Sequence, residues 1–414
     1  VAQVADAGNA ARATAETVAA RSYGRLVAFL AVRTHDVAAA EDALSDAFAT
    51  ALAEWPRSGC PANPEAWLLT VARRRLVDGV RRRQVGEAVL GELQQLAEHV
   101  VDAPDEAPIP DQRLALLFAC AHPAIDAAVR APLMLQTVLG LDAKRIAAAF
   151  LASPAAMGKR LGRAKQKIRE AGVPLRVPER AELPARLDAV LAAIYAAFTD
   201  GWCGGDASRH ELAEEAIFLA RIVVELLPDD AEAPGLLACM LYAHARRAAR
   251  RSAGGDYVPL HAQDVARWDS AMIGEAEALL RHASTLRRIG RFQLEAALQS
   301  AHVERRRHGR DNATAILQLH DALAMLAPSP VAAINRALAL ADVHGAAAGL
   351  GALPDPRIDA RIAGYQPYWA TRADLLARSG ATAEARAAYE TAIALETDEA
   401  VRRFLRGRRA APGT

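Results

Sequence analysis

Apolar positions recur at helical spacing along almost the whole chain, and stretches of period-2 alternation rich in valine, isoleucine and threonine are hard to find. The pattern predicts an all-α protein. A first helix over Thr17 to Arg33 carries Val18, Leu26, Val27, Phe29 and Leu30. After a turn at 34–37, Ala38 to Trp55 make a second, with Leu44, Ala47, Phe48, Ala51 and Trp55 turned inward. Its Glu41, Asp42, Asp46 and Glu54 fall on polar positions, so one exposed face is acidic. Proline and glycine in Pro56–Pro61 break this helix. Asn63 and Pro64 then suit the N-cap and first position of a third, because asparagine accepts an orphan backbone N–H and proline loses no bond there. In this helix, which runs to Arg83, Leu68, Val71, Ala72, Leu76 and Val80 form the apolar seam, and Arg73, Arg74, Arg81 and Arg82 project away from it.

Between Gln84 and Asp111 the pattern is lost: Glu87, Glu92, Glu98, Asp102, Asp105, Glu106 and Asp111 are interrupted by Pro104, Pro108 and Pro110, as in an extended acidic linker. Helical spacing resumes at Gln112. From Leu139 to Arg169 two short helices meet at a turn, one with Ala143, Ile146, Ala147 and Phe150 inward, the other with Met157, Leu161, Ala164 and Ile168 inward. Ser153 and Pro154 mark the second start. Its polar side carries Lys159, Arg160, Arg163, Lys165, Lys167 and Arg169, nearly unopposed, which is the charge of a helix that faces phosphates.

From Leu183 the sequence reads as helix after helix: Leu183 to Phe198, a glycine-bearing connection at 200–206, Arg209 to Leu227, then Ala231 to Arg251, Gln263 to Arg288, Arg291 to His308, Asn312 to Leu326 and Pro330 to Val343. The last pair, Tyr368 to Leu395, sets Leu375, Gly380, Ala385, Tyr389, Ala392 and Leu395 close to tetratricopeptide (TPR) spacing. A stack of such hairpins offers a concave surface for a peptide or protein segment.

Composition changes this picture little. At 414 residues the chain is long enough for two or three domains, and a net charge of +1 leaves only local segregation of charge to argue for a polyanionic partner. Cys60, Cys120, Cys203 and Cys239 form no CxxC pair and read as free thiols of a reducing, cytoplasmic setting. No stretch is apolar for long enough to span a membrane. Catalytic signatures are missing too. The glycine-bearing connection lacks the Gly-Lys-Ser/Thr ending and preceding strand of a phosphate loop, His302, Glu304 and His308 do not share one helical face, and neither HExxH nor GxSxG occurs. No enzyme activity, metal or cofactor is expected.

The order of an acidic helix, a loop, a tryptophan-bearing basic helix, an acidic linker and a basic helix-turn-helix resembles a bacterial sigma factor of the extracytoplasmic-function (ECF) class. The carriers are AEDALSDAFATALAEW for region 2.2, NPEAWLLTVARRRLVDGVRRR for regions 2.3 and 2.4, and the 139–169 stretch for region 4.2. FACAHP at Phe118 to Pro123, the RAKQKIREAGVPLRVP ending and the helical tail resemble the subgroup with a TPR-like C-terminal extension. The resemblance implies region 2 at 1–83, a linker at 84–111, region 4 at 112–177 and a regulatory TPR-like domain at 178–414. It implies core RNA polymerase and promoter DNA as partners, a protein or peptide on the C-terminal domain, and no membrane.

By the same resemblance Glu41, Asp42 and Asp46 grip the polymerase. Cys60 and Asn63, in the loop that would receive a flipped minus-10 base, act with Trp67, Arg73, Arg74, Arg81 and Arg82, which hold the strand; the alternative for Trp67 is ordinary core packing. Ser153, Lys159, Arg160, Arg163 and Lys167 address the minus-35 element. Ala155, Ala156 and Gly158 leave few hydrogen-bonding groups where such a helix meets base edges, so recognition there is expected to rest on phosphates and DNA shape, with Lys159 and Arg160 as base readers. The linker either threads the polymerase's nucleic-acid path or serves as a tether. The rival function is a helix-turn-helix regulator with a TPR-type sensor that is not a polymerase subunit.

Overall fold

The computed structural model describes residues 2–34, 36–83, 112–170, 172–173, 178–179, 181–203 and 207–410. The acidic linker at 84–111 lies outside the described residues, as do the side chains of 79–83. Every regular element described is a helix, as the apolar spacing predicts. Among the described residues no helix is long and apolar enough to cross a membrane. The chain forms two compact units, 1–201 and 202–414. Residues 184–201, assigned from sequence to the C-terminal part, thus belong to the first.

In the first unit α1 (Ala2–Thr34), α2 (Val37–Ser58) and α3 (Pro64–Arg83) pack on one another. Leu26, Phe29 and Leu30 of α1, Leu44, Ala47 and Trp55 of α2, and Leu68, Leu69 and Ala72 of α3 are all buried. The Asp36 carboxylate caps α2 by accepting from the Ala39 N–H at 3.0 Å. The helix runs through Pro56 rather than breaking at it, and stops where Gly59 takes φ +83° and donates its N–H to the Trp55 carbonyl at 3.0 Å. A proline in the last turn forfeits one ladder bond but leaves the rest intact, so glycine and not proline ends the helix.

The rest of the unit comprises α4 (Arg113–Cys120), α5 (Ala127–Thr137), α6 (Ala143–Ala149), α7 (Pro154–Glu170) and most of α8 (Pro184–Cys203). The connection expected from residue 200 therefore begins later, because Asp200 to Cys203 continue the helix. Two ties hold the start and end of α8 in this unit: Arg186 donates to the Phe118 carbonyl at 3.2 Å, and Asp200 pairs with Arg145.

The second unit is a succession of helices, α9 (Ala207–Leu226), α10 (Glu232–Ala245), α11 (Ser270–Thr285), α12 (Arg291–His308), α13 (Ala313–Leu326), α14 (Pro330–His344), α15 (Ala346–Ala352), α16 (Ala360–Ala363), α17 (Gln366–Arg378), α18 (Thr382–Leu395) and α19 (Glu399–Ala410). Chain neighbours pack on each other through most of it, and α10 also packs on α12. The helix expected over Gln263 to Arg288 is shorter. Asp264 caps a 3-10 turn through the Ala266 N–H at 3.0 Å, and Asp269 caps α11 through the Met272 N–H at 2.9 Å. Each aspartate breaks the run because its side chain offers the backbone a turn. The one before α12 lacks a capping side chain altogether: Gly290 stands there, and the Glu232 carboxylate takes the Phe292 N–H at 2.9 Å and the Gln293 N–H at 3.2 Å. A Cβ on Gly290 would lie 2.1 Å from Glu232 Cδ.

Arg246 is buried, with its guanidinium donating to Gln299 Oε1 at 2.6 Å and to the Tyr242 carbonyl at 3.2 Å. Burial lowers it to about 10. Burial, helped by the positive charge of Arg246, likewise pushes the His302 imidazole down to about 4, and burial lowers His244 and His320. The unfolded chain binds protons at such histidines near pH 6.5 and the fold does not, so stability is present above that value and is lost as pH falls toward 4. The full chain should therefore lose stability on going from pH 7 to pH 5, and His302→Gln should reduce that loss by on the order of 1 kcal/mol. Urea denaturation at the two pH values checks this; an unchanged pH dependence in the variant would refute it.

Candidate nucleic-acid interface

The acidic and basic groups singled out in the sequence fall on three surfaces of the first unit. The loop at 59–63 is pinned at both ends. Asn63 caps α3 by accepting the Ala66 N–H at 3.1 Å, and Cys60 Sγ lies 3.6 Å from Thr14 Oγ1 of α1. Both residues are exposed. Glu65, in the first turn of α3, accepts from Ser22 and Arg25 of α1, so the entry of α3 is fixed to α1 by a carboxylate with two donors.

Trp67 is half-buried and meets the buried Trp55 edge-on, with ring centroids 5.4 Å apart at 65°. Part of its ring system therefore packs, as in the core alternative, while the rest is exposed. Arg74 is exposed on α3, whereas Arg73 is half-buried with its guanidinium 5.3 Å from the Phe29 ring centroid. Arg75, which the seam argument passed over, is exposed beside them; the three consecutive arginines were the available signal. Arg81 and Arg82 lie on α3, but their side chains are outside the described residues.

The second surface is α7. The turn before it spans 150–153, with Leu151 at φ +50° and the Ala152 N–H bonded to the Ala147 carbonyl at 2.8 Å. A non-glycine in the left-handed region costs on the order of 1 kcal/mol, so the turn is held by the packing on either side. Asp142 caps α6 through the Arg145 N–H at 2.8 Å, and Ser153 Oγ accepts from Ala156 at 3.3 Å. Met157, Leu161, Ala164 and Ile168 are buried. On the outward face Lys159, Arg163 and Lys167 fall four residues apart, with Arg160 beside them, and all four are exposed, as is Ser153. Four cations on one side of one helix make a row that phosphates can neutralise.

The third surface is the acidic face of α2. Asp42 and Asp46 are exposed and lie one turn apart. Glu41 is not exposed as its polar position suggested: it pairs with Lys165 of α7, and the two side chains retain only 13% and 14% exposure. Burial pushes the Glu41 carboxyl up, against the pull of Lys165. Asp36 at the start of the same helix lies 3.7 Å from Arg169. Two of the cations assigned to the outer side of the basic helix thus face α2 instead.

Cys120 is buried against Thr137 at 3.5 Å, and burial pushes its thiol up to about 12, so it is a packing residue and not a nucleophile. Among the described residues no group of three or more histidine, cysteine, aspartate or glutamate side chains could hold a metal ion.

Residues 19–85 match sigma-70 region 2, and residues 186–284 match a family of unknown function, DUF6596. An uncharacterized protein of Rhizobium meliloti (strain 1021) is 38% identical over 375 residues, covering 89% of this chain and 88% of the relative. No solved structure matches the chain.

Because Trp55 is 1% exposed and Trp67 only half-buried, truncating them should have unequal effects. Trp55→Ala should cost about 3–5 kcal/mol of stability, and Trp67→Ala clearly less. Equal losses in chemical denaturation followed by circular dichroism would contradict this placement of the pair.

Proposed function

On the premise that the chain belongs to one family with that Rhizobium meliloti protein and carries a sigma-70 region 2 domain, we propose that it is an alternative sigma factor. It binds core RNA polymerase in the cytoplasm, directs it to promoter DNA and performs no chemistry of its own. The observation that carries this reading is the region 2 match over 19–85, which coincides with the bundle of α1, α2 and α3 and with the capped loop at 59–63. Within it, Cys60, Asn63 and the outer part of Trp67 border the place for an unstacked minus-10 base, with Arg73, Arg74, Arg81 and Arg82 following the strand backbone. Stacking and edge contacts of that kind offset the few kcal/mol of unstacking.

The pair α6 and α7 then serves as a region 4 helix-turn-helix, and the chain has the two-part arrangement of the ECF class. Exposure of Lys159, Arg160, Arg163 and Lys167 supports minus-35 contact made largely through phosphates. Asp42 and Asp46 are the open part of the polymerase-binding face. In the second unit α17 and α18 form a hairpin in which Ala385, Tyr389 and Ala392 are buried with Ala373 and Leu376, the kind of small-and-aromatic packing on which a TPR-like assignment rests. This helical part acts as a tethered regulator whose high effective concentration removes the need for a separate one. The rival regulator without polymerase binding has no use for the loop at 59–63 or for the acidic face of α2.

Run-off transcription with core enzyme tests the proposal. The full chain should start transcripts at a defined promoter, and Lys159→Ala with Arg160→Ala should weaken promoter binding by about tenfold or more, with a shallower dependence on salt. A footprint obtained without core, and no transcript with it, would instead favour the rival. A chain ending at Gly201 should differ in transcript yield from the full chain; equal yields would remove the regulatory role of the second unit.

A further inference from the structure

Part of the acidic face of α2 is already occupied. Lys165 of α7 reaches the Glu41 carboxylate, and Arg169, one turn on, approaches Asp36 at 3.7 Å. The contact is part of a wider seam between the first bundle and α4, α5 and α7. Gly24 of α1 touches the end of α5 so closely that a Cβ there would lie 1.5 Å from the Val138 carbonyl oxygen. Tyr23, the preceding residue, closes over Gly140, where a Cβ would lie 3.1 Å from its ring. Burial and the Glu41 charge push the Tyr23 phenol up to about 12, in keeping with a dry seam.

The pairing is only half complete. Glu41 Oε2 takes the Lys165 ammonium, but Glu41 Oε1 is buried and receives no hydrogen bond among the described residues. A buried carboxylate with one oxygen unserved carries a desolvation cost that a single lysine does not offset. An arginine fork would serve both oxygens at once. Asp42 and Asp46 remain exposed on the same helix and offer the first contact to such a partner.

We propose that the basic helix α7 masks the polymerase-binding face of α2 in the free chain, so that the protein is self-inhibited and an arginine-bearing surface of core polymerase must displace Lys165 and Arg169 to engage Glu41. The inference rests on the sigma-factor reading of this face. It assigns to α7 a second role besides DNA contact, because the row formed by Lys159, Arg160, Arg163 and Lys167 stays exposed while Lys165 and Arg169 hold α2. The seam at Gly24 and Val138 sets the strength of the mask. Apparent affinity falls by the fraction of chains that are open, so a chain that is closed nine-tenths of the time binds its partner about tenfold more weakly than an open one.

The test uses the full chain, core polymerase without DNA, and two variants. Gly24→Val drives a side chain into the Val138 carbonyl, and Lys165→Ala with Arg169→Ala removes both cations without adding bulk. Hydrogen exchange of the free proteins over residues 36–48 reports whether α2 has been uncovered, and a fluorescence titration reports affinity for core. Faster exchange together with about tenfold tighter binding supports the mask. Faster exchange with unchanged or weaker binding overturns it, as does exchange in the double-alanine chain identical to that of the unsubstituted protein. If circular dichroism shows Gly24→Val to be unfolded, the double-alanine chain decides alone. Failure of all three chains to bind core overturns the sigma-factor reading, and the exchange difference then still reports the seam by itself.

Discussion

The approach of α1 to the end of α5 at Gly24 is the constraint on which the first unit depends. A helix backbone can meet a carbonyl oxygen this closely only where there is no side chain, and 24 is such a position. Once the two backbones are in contact, Tyr23 covers Gly140, Lys165 comes within reach of Glu41, and Cys120 is sealed against Thr137. The start of α8 is bound to the same body by Arg186 and its end by Asp200. Residues assigned by sequence to separate regions, with an acidic stretch between them, thus share one interior. The energetic cost of parting them is set by a few contacts of modest individual strength, one of which, at Glu41, is unfinished.

What could be read from the sequence follows the range of the interactions. Helices whose ends are fixed by their own residues were legible: α12 stops at Gly309, which adopts the left-handed conformation, and α14 starts from Ser329 and Pro330. The cap at Asn63 and the inward faces of α2 and α7 follow from spacing alone. The helix bounds differ where one local signal outweighs another. Pro56 did not end α2, and the expected helix at 263–269 was lost to two aspartate caps.

In the candidate interface the outward row of α7 is legible because it needs only the helical period, whereas the apolar seam of α3 gives no sign of Arg75. The burial of Glu41 was out of reach. Its partner is 124 residues away, and no pattern on α2 distinguishes a carboxylate that meets solvent from one that meets a lysine. Charge segregation tells which helices seek partners, but the partner can be another segment of the same chain.

The second unit carries one further feature with wide reach. The Glu232 carboxylate, at the head of α10, closes the head of α12 by taking two backbone N–H groups that Gly290 cannot serve. Stacked helical hairpins ordinarily behave as a row of similar pieces, each able to fray while its neighbours hold. Here two pieces that pack on each other also share a half-buried carboxylate fastening. Fraying of α10 leaves the two N–H donors of α12 unserved, and fraying of α12 leaves the Glu232 carboxylate without them, so these helices should come apart as a block, and strain applied to the surface of one is felt at the root of the other.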